Sequence, residues 1–392
     1  MEEFFNRNNF SFEERERLVA LSFSNFFKIG PRGIIKLLKR FGSLNKAYFA
    51  TFGDLKNIGI REDVAYAFLK FRQKFSLEET LNYLKTRQIN FIYLEDDNYP
   101  KILKEIYDPP TIIYYKGDLD FNNDKGLAIV GSRKHSAYGE KVIDSLLKDL
   151  SSSKLTIISG LASGIDSLAH DKALENNLKT IAVLGTSLEE ENIFPAENFS
   201  LAKSILANNG ALVSEFPPRT KGFKQNFPMR NRIISGLSQA VLVIEAKERS
   251  GSLITVNQAL DQGREVMTIP GNIFSEFSSG TNKLLASGAR LITKGEDILD
   301  FFLNKNLIED KSPEIVKKDI LSSKKKFKIN LENENEKVVY ELIKTADERA
   351  EKINTEEIVK KTKLDIATIN STLSILELKS LIKKSYNNYN LS

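Results

Sequence analysis

Between residues 11 and 88 the apolar positions recur three and four apart, as in RLVALSFSNFF and GIIKLLKRF. This spacing predicts short helices with one buried face. Glycine turns separate them, and KIGPRG (28–33) and NIGIRE (57–62) each set Ile-Gly before a new helical run. From 89 to 304 the pattern changes. Continuous apolar runs alternate with amphipathic ones: LAIVGS then YGEKVIDSLLKDL, TIISG then IDSLAHDKALE, TIAVLGT then LAKSILANNG, with ALVSEF, AVLVIEA and EVMTIPG beyond. Strands apolar throughout, with helices between them, predict an α/β domain whose mostly parallel sheet is covered on both faces. Residues 305–335 carry too few apolar positions to bury and read as a charged linker. Residues 336–392 resume helical periodicity in EKVVYELIKTA, TEEIVKKTKL and IATINSTLSILELKSLIKK. Three helices with a short tail predict a winged helix, the third helix standing in the recognition position.

The expected organisation is therefore a small helical domain (1–88), an α/β domain (89–304), a linker (305–335) and a winged helix (336–392). Paired Ile-Gly turns occur in helix-hairpin-helix and sterile-alpha-motif-like folds, where turn amides meet a phosphate; a plain helical packing module fits equally. The third helix of the last domain has few cations in its first turns, so a protein partner suits it as well as DNA does.

Composition narrows the chemistry. A chain of 392 residues exceeds one small core, and 41% hydrophobic with 28% charged residues is ordinary for a soluble globular protein. No run of about 18 uncharged apolar residues exists, so no membrane span is expected. The start, MEEFFNRNNFSFEERER, is not a signal peptide, and a cytoplasmic location follows as an expectation. Cysteine is absent and the only histidines are His135 and His170. Thiolate metal sites, a cysteine nucleophile and a His-rich metal site are excluded. No cofactor is called for. A net charge of +5 is a weak signal, and placement of the charges matters more.

Parallel sheets bind ligands at the carboxyl ends of their strands, so the residues just after each strand are the ones to read. The first strand ends in AIVGSRKHSAYG, where Gly131 permits a close turn and Ser132 and Arg133 stand where the next helix is expected. A hydroxyl, free amides and a guanidinium there suit phosphate, although the spacing departs from G-x-G-x-x-G. The second ends in ISGLASGIDSLAH; Gly160 and Gly164 bracket a turn whose amides, from Ser159 onward, would face the same cleft. Asp166 and His170 follow, better explained as a cap and a packed histidine than as an acid–base pair. Gly185 opens the third strand end.

The fourth ends in SEFPPRTKGFKQNFPMRNR, a loop interleaving Arg219, Lys221, Lys224, Arg230 and Arg232 with Phe216, Phe223 and Phe227. Cations alternating with aromatics suit a single strand of nucleic acid, with Phe227 the ring most expected in the core. Asn231 lies between two arginines that, two apart on a helix, cannot face the same way. Structural ion pairs with Glu215 or Glu245 are the other reading of these arginines. Ser250, Gly251 and Ser252 open a further helix after the fifth strand.

Taken in order, GSRKHSAYG, SGLASGIDSLAH, SEFPPRTKGFKQNFPMRNRIISGLS, EAKERSGSLIT and IPGNIFSEFSSGTNKLLASGA resemble the DNA-processing protein A family (DprA/Smf). DDNYPKILKEIYDPPTIIYYKGD (96–118) resembles that family's lead into its Rossmann-like domain. The resemblance implies a non-catalytic protein that binds and protects single-stranded DNA, helps load the recombinase RecA in natural transformation, and forms a homodimer. It implies that Arg133 lies in the DNA pocket and that Arg230 and Arg232 line or support it. One departure is visible. Where the family usually has Gly-Cys-Gly and Tyr-Pro, this chain reads GTSLEEENIFP (185–195), which places Glu189 to Glu191 where acidity works against DNA.

A rival reading is a phosphoribohydrolase-type nucleotide-processing enzyme, for which Glu215 or Glu245 would supply the carboxylate. That group's Pro-Gly-Gly-x-Gly-Thr loop is replaced here by SGSLIT. A nicotinamide dehydrogenase lacks both its fingerprint and a ribose-binding acid.

Overall fold

A computed structural model describes residues 4–5, 8–119, 125–304, 333–348, 353–362, 364–378, 382–385 and 388–391. The charged stretch expected at 305–335 lies, up to 332, outside the described residues. The chain divides into two compact units, Met1–Lys311 and Ser312–Ser392.

The first unit opens with helices α1 (Phe12–Ser24), α2 (Pro31–Phe41), α3 (Leu44–Tyr48), α4 (Phe52–Asn57), α5 (Glu62–Lys74) and α6 (Leu77–Thr86). Their starts are written locally. Ser11 with Glu14 and Thr51 with Asp54 form capping boxes, which satisfy amides that a helix leaves unpaired. The buried Glu16 of α1 accepts from the Leu44 and Asn45 amides and so caps α3 from a distance. Phe23, Tyr48 and Phe68 meet at the centre, Phe23 and Phe68 stacked at 5.0 Å.

Among the described residues one sheet has nine strands in the order β1-β2-β6-β5-β4-β3-β7-β8-β9. β1 (Asn90–Tyr93) and β2 (Ile112–Gly117), separated by the short helix α7 (Lys101–Lys104), form an antiparallel edge. The rest is parallel: β3 (Lys125–Val130), β4 (Leu155–Ser159), β5 (Thr180–Val183), β6 (Ala211–Ser214), β7 (Ala240–Val243), β8 (Glu265–Thr268) and β9 (Arg290–Leu291). Residues of β4 to β7 are buried throughout, as a sheet covered twice requires.

Alternation sorts the two faces. Leu127 and Ile129 pack against α8 (Ala137–Asp149), α9 (Ile165–Glu175) and α14 (Gly295–Asn304), while Ala128 and Val130 join the core built with α11 (Asn226–Gly236), α12 (Ser252–Asp261) and the N-terminal helices. Two further helices, α10 (Phe199–Ala207) and α13 (Ser279–Ala286), complete the cover. β3 pairs with β4 on one side and β7 on the other, so strand order reverses between β3 and β7. A ligand crevice belongs outside their carboxyl ends.

The second unit contains α15 (Glu334–Glu348), β10 (Ile353–Asn354), α16 (Thr355–Thr362), α17 (Ile366–Leu378), β11 (Ile382–Ser385) and β12 (Asn388–Leu391). Its strands form an antiparallel sheet ordered β10-β12-β11 over a core of its own that includes Ile343, Ile369 and Leu376.

Candidate nucleic-acid interface

At the strand reversal the chain supplies its own anion. Glu245, just past β7 and 2% exposed, accepts from the Ser136 amide at 2.9 Å and from the Ser136 hydroxyl. Ser136 is the N-cap of α8, so this carboxylate occupies the positive end of the helix dipole. Gly139 makes room for it, since a Cβ there would come within 2.6 Å of the carboxylate. The expectation that α8 begins at Ser132 and Arg133 with free amides is thereby corrected. The helix begins at Ala137, and the Ser132 amide is held by the Glu245 carbonyl at 2.8 Å. Arg133, freed from the helix, is exposed and has no hydrogen-bonded or ion-paired partner among the described residues.

The turn from β4 into α9 is occupied in the same way. Gly164 (φ +87) crosses the β3 loop so closely that a Cβ would lie 2.4 Å from the Ser132 carbonyl, a place only glycine can take. Asp166 accepts from the amides of Gly160 and Ala162, so these amides do not await a phosphate. Ser159 donates its hydroxyl to the Ile129 carbonyl at 2.6 Å and is fully buried. Burial raises the Asp166 carboxyl to about 6 despite Arg230 and those donors. His170, buried with Nδ1 2.7 Å from the Thr180 hydroxyl, is pushed down to about 3 by desolvation, then by Arg230, and stays neutral.

Helix α11 separates its two arginines. Arg230 is 4% exposed and donates through Nη1 to the carbonyls of Gly160, at 2.6 Å, and Val183. It thus binds the ends of β4 and β5 together, and Gly160 must lack a side chain because a Cβ would lie 2.6 Å from the guanidinium. Burial lowers Arg230 to about 10, still charged at neutral pH. Arg232, 6% exposed, points elsewhere: it pairs with Glu215 and, at 3.3 Å, with Asp108. Its expected place on the phosphate surface is therefore not where the structure puts it.

What remains open is a cleft of about 370 Å³ whose lining includes Gly131, Arg133, Asp166, Lys224, Phe227, Pro228, Arg230, Asn231 and the Ser250–Gly251–Ser252 start of α12. The Ser250 and Ser252 hydroxyls lie 2.8 Å apart, and the space beside Gly251 is empty. Phe227, expected in the core, is half-buried and lines both this cleft and an adjoining recess of about 120 Å³ with Phe194 and Ser163. Gly185 accommodates that ring rather than a ligand: a Cβ there would meet Phe227 at 2.8 Å. Lys221 is exposed but outside the lining.

The three glutamates of the departing loop are also engaged. Glu189 accepts from Tyr83 and the Arg219 amide, Glu191 pairs with Arg87, and Glu190 faces Lys203 at 3.6 Å. They fasten the loop to α6 and α10, and Arg219 lies over the Tyr83 ring at 4.4 Å. No cluster of metal-ligating side chains is present among the described residues, and no helix there is long and apolar enough to cross a membrane.

Two features of the site lie outside the expected set: Asp166 as a wall of the cleft and the carboxylate plug at α8. An acid in a first turn signalled the former; nothing local signalled a contact between positions 136 and 245.

Comparison with known proteins places this geometry. The family model for DNA recombination-mediator protein A matches residues 90–303. The DNA processing protein DprA of Bacillus subtilis is 42% identical over 232 residues, 59% of this chain and 77% of that protein. Protein Smf of Escherichia coli is 44% identical over 246 residues, 63% of this chain and 65% of that one. The crystal structure of DprA from Streptococcus pneumoniae superposes with a TM-score of 0.62 at 35% identity, covering 73% of this chain and 97% of that one. The DNA processing protein A of Helicobacter pylori, known for its single-stranded DNA binding mode, gives a TM-score of 0.50 at 29% identity over 56% of this chain and 97% of that one.

Proposed function

The chain belongs to the DNA recombination-mediator protein A family, and on that premise we propose that its cleft holds single-stranded DNA without chemical turnover. It is a DNA-processing recombination mediator. The carrying observation is the split between occupied and free groups at the strand ends. Glu245, Glu215 and Arg232 are committed inside the protein, whereas Arg133 and Lys224 stand unpaired among the described residues beside Phe227 and a glycine-hydroxyl helix start. Cations for phosphates next to a ring for bases make a single-strand site. Lys221, exposed on the same loop, is proposed as a further phosphate contact, and Arg230 supports the floor.

The same split disfavours hydrolysis. Neither carboxylate nominated for it is free to meet a glycosidic bond, as Glu215 is paired with Arg232 and Glu245 caps α8. Following the family resemblance, the bound strand passes to a RecA-type recombinase, the protein acts as a homodimer, and a DNA-processing role fits a cytoplasmic location. The C-terminal unit reads as a winged helix, and Ile366–Leu378 contains no Lys or Arg, which favours a protein partner there.

Fluorescence anisotropy against oligothymidylate and a matched duplex tests the proposal. Tighter binding of the single strand, weakening as salt rises, is expected because released counterions drive association. Arg133→Ala should weaken binding to all sequences alike. Salt-independent binding untouched by this substitution, or turnover of a nucleoside monophosphate, would refute it.

A further inference from the structure

Pro228 and Met229 are neighbours on α11 yet line different concavities. Pro228 faces the cleft, while Met229, 48% exposed, lines a groove of about 90 Å³ between the helical segment and the sheet. Phe27, Pro31, Phe216 and Pro217 supply apolar walls, with Phe27 75% exposed. The carboxylate at the groove, Glu215, is already matched by Arg232.

Gly30 and Pro31 at the groove's far side begin α2, whose outer surface is basic. Arg32, Lys36, Lys39 and Arg40 follow at i, i+4, i+7 and i+8, a single stripe opposite the buried Ile34 and Leu37. All four are exposed, none forms an ion pair among the described residues, and α2 has no acidic residue. Arg32 lies over the exposed Tyr107 ring at 4.1 Å. Lys36 stands beside Gly59, so the stripe reaches the second Ile-Gly turn. The helical segment is fastened to the sheet through Ser24 and the Tyr114 hydroxyl, 2.5 Å apart, and through Arg17, which donates to the Phe91 carbonyl.

We propose that a single strand leaving the cleft passes over Met229 into this groove and lays its phosphates along the α2 stripe. The helical segment is then a second DNA surface continuous with the first. Charge complementarity and continuity through adjacent residues of α11 select this occupant. An apolar groove beside a row of cations suits a strand whose bases are free to leave the stack, whereas a duplex would leave the groove unfilled.

The inference rests on the cleft being a single-strand site, and the test separates the two. The full chain carrying Arg32→Ser, Lys36→Ser and Lys39→Ser is titrated with oligothymidylates of about six and about twenty nucleotides, the shorter sized for the cleft alone. The triple variant should bind the shorter strand as before and the longer one more weakly, its salt slope reduced by about 2 for three lost phosphate contacts. Phe27→Ser should weaken the longer strand without changing the slope. Arg133→Ala should weaken both lengths. A triple variant unchanged on the longer strand, or equally impaired on both, overturns the extension while leaving the cleft reading intact. An Arg133→Ala variant unchanged on both lengths overturns the cleft reading itself.

Discussion

Arg133 and Arg230 border the same cleft and have opposite environments. Arg230 is enclosed, its Nη1 donating to the carbonyls of Gly160 and Val183; Arg133 is exposed and unpaired among the described residues. Arg232, two residues from Arg230, is enclosed too, against Glu215 and Asp108. A buried guanidinium needs partners within the protein because desolvation is costly, so part of its donor set is committed there. An exposed one keeps its donors for a phosphate. One residue type thus builds the floor and the rim, and burial decides which.

Substitutions can break this contrast. Arg232→Leu should have the largest effect, about 3–5 kcal/mol of stability, because Glu215 is left buried without its partner. Chemical denaturation measures it, and a loss below about 1 kcal/mol would mean the pair is not structural. Gly164→Ala should cost about 1–3 kcal/mol through its left-handed backbone and the approach to the Ser132 carbonyl. Any variant that folds despite it should show weaker DNA binding as well, since that turn positions Arg133.

Arg133→Ala should leave stability within about 0.5 kcal/mol and weaken single-strand binding about tenfold, the loss of one charge-assisted contact. If it destabilised the fold as Arg232→Leu does, the distinction between floor and rim would collapse.

A pH-dependent effect concerns Asp166, a carboxylate lining the same cleft. Its folded value, about 6, lies above the ordinary 3.8, so the folded state binds the proton more tightly than the unfolded chain. Its contribution to stability is fully present below pH 3.8 and is lost as pH rises through 6, with a slope of at most about 1.4 kcal/mol per pH unit. The groups facing it are Arg230, the amides of Gly160 and Ala162, and the Ser159 side chain. His170, pushed down to about 3, does not titrate in that window. Denaturation of Asp166→Asn across pH 4 to 7 should show this slope removed, and an unchanged profile would dissociate Asp166 from the pH response.

Much was legible without coordinates, for reasons that differ by region. Apolar runs such as LTIIS and TIAV indicate strands buried on both faces, and the five ordered motifs mark the family. Serines at 11, 43, 76 and 136 announce helix starts because a cap is a contact three residues long. The place of Phe227 is not legible locally, because an aromatic within an apolar frame reads the same whether it closes a cleft or fills an interior. The Glu189 to Glu191 run reads as a repulsive patch in sequence because its partners, Tyr83, Arg87 and Lys203, are remote in sequence or on another element.

The sequence by itself determined the element types, the parallel α/β core and the set of chemically able residues, since these follow from local periodicity and side-chain chemistry. It also limited α11 to presenting one of its two arginines to the cleft. Only the tertiary structure decided which one, and which anions the helix starts hold. Glu245 reaches Ser136 and Arg230 reaches Gly160 across 109 and 70 residues. Whether a charge is spent inside the protein or left for a ligand depends on those long-range partners and on burial, which no local pattern records.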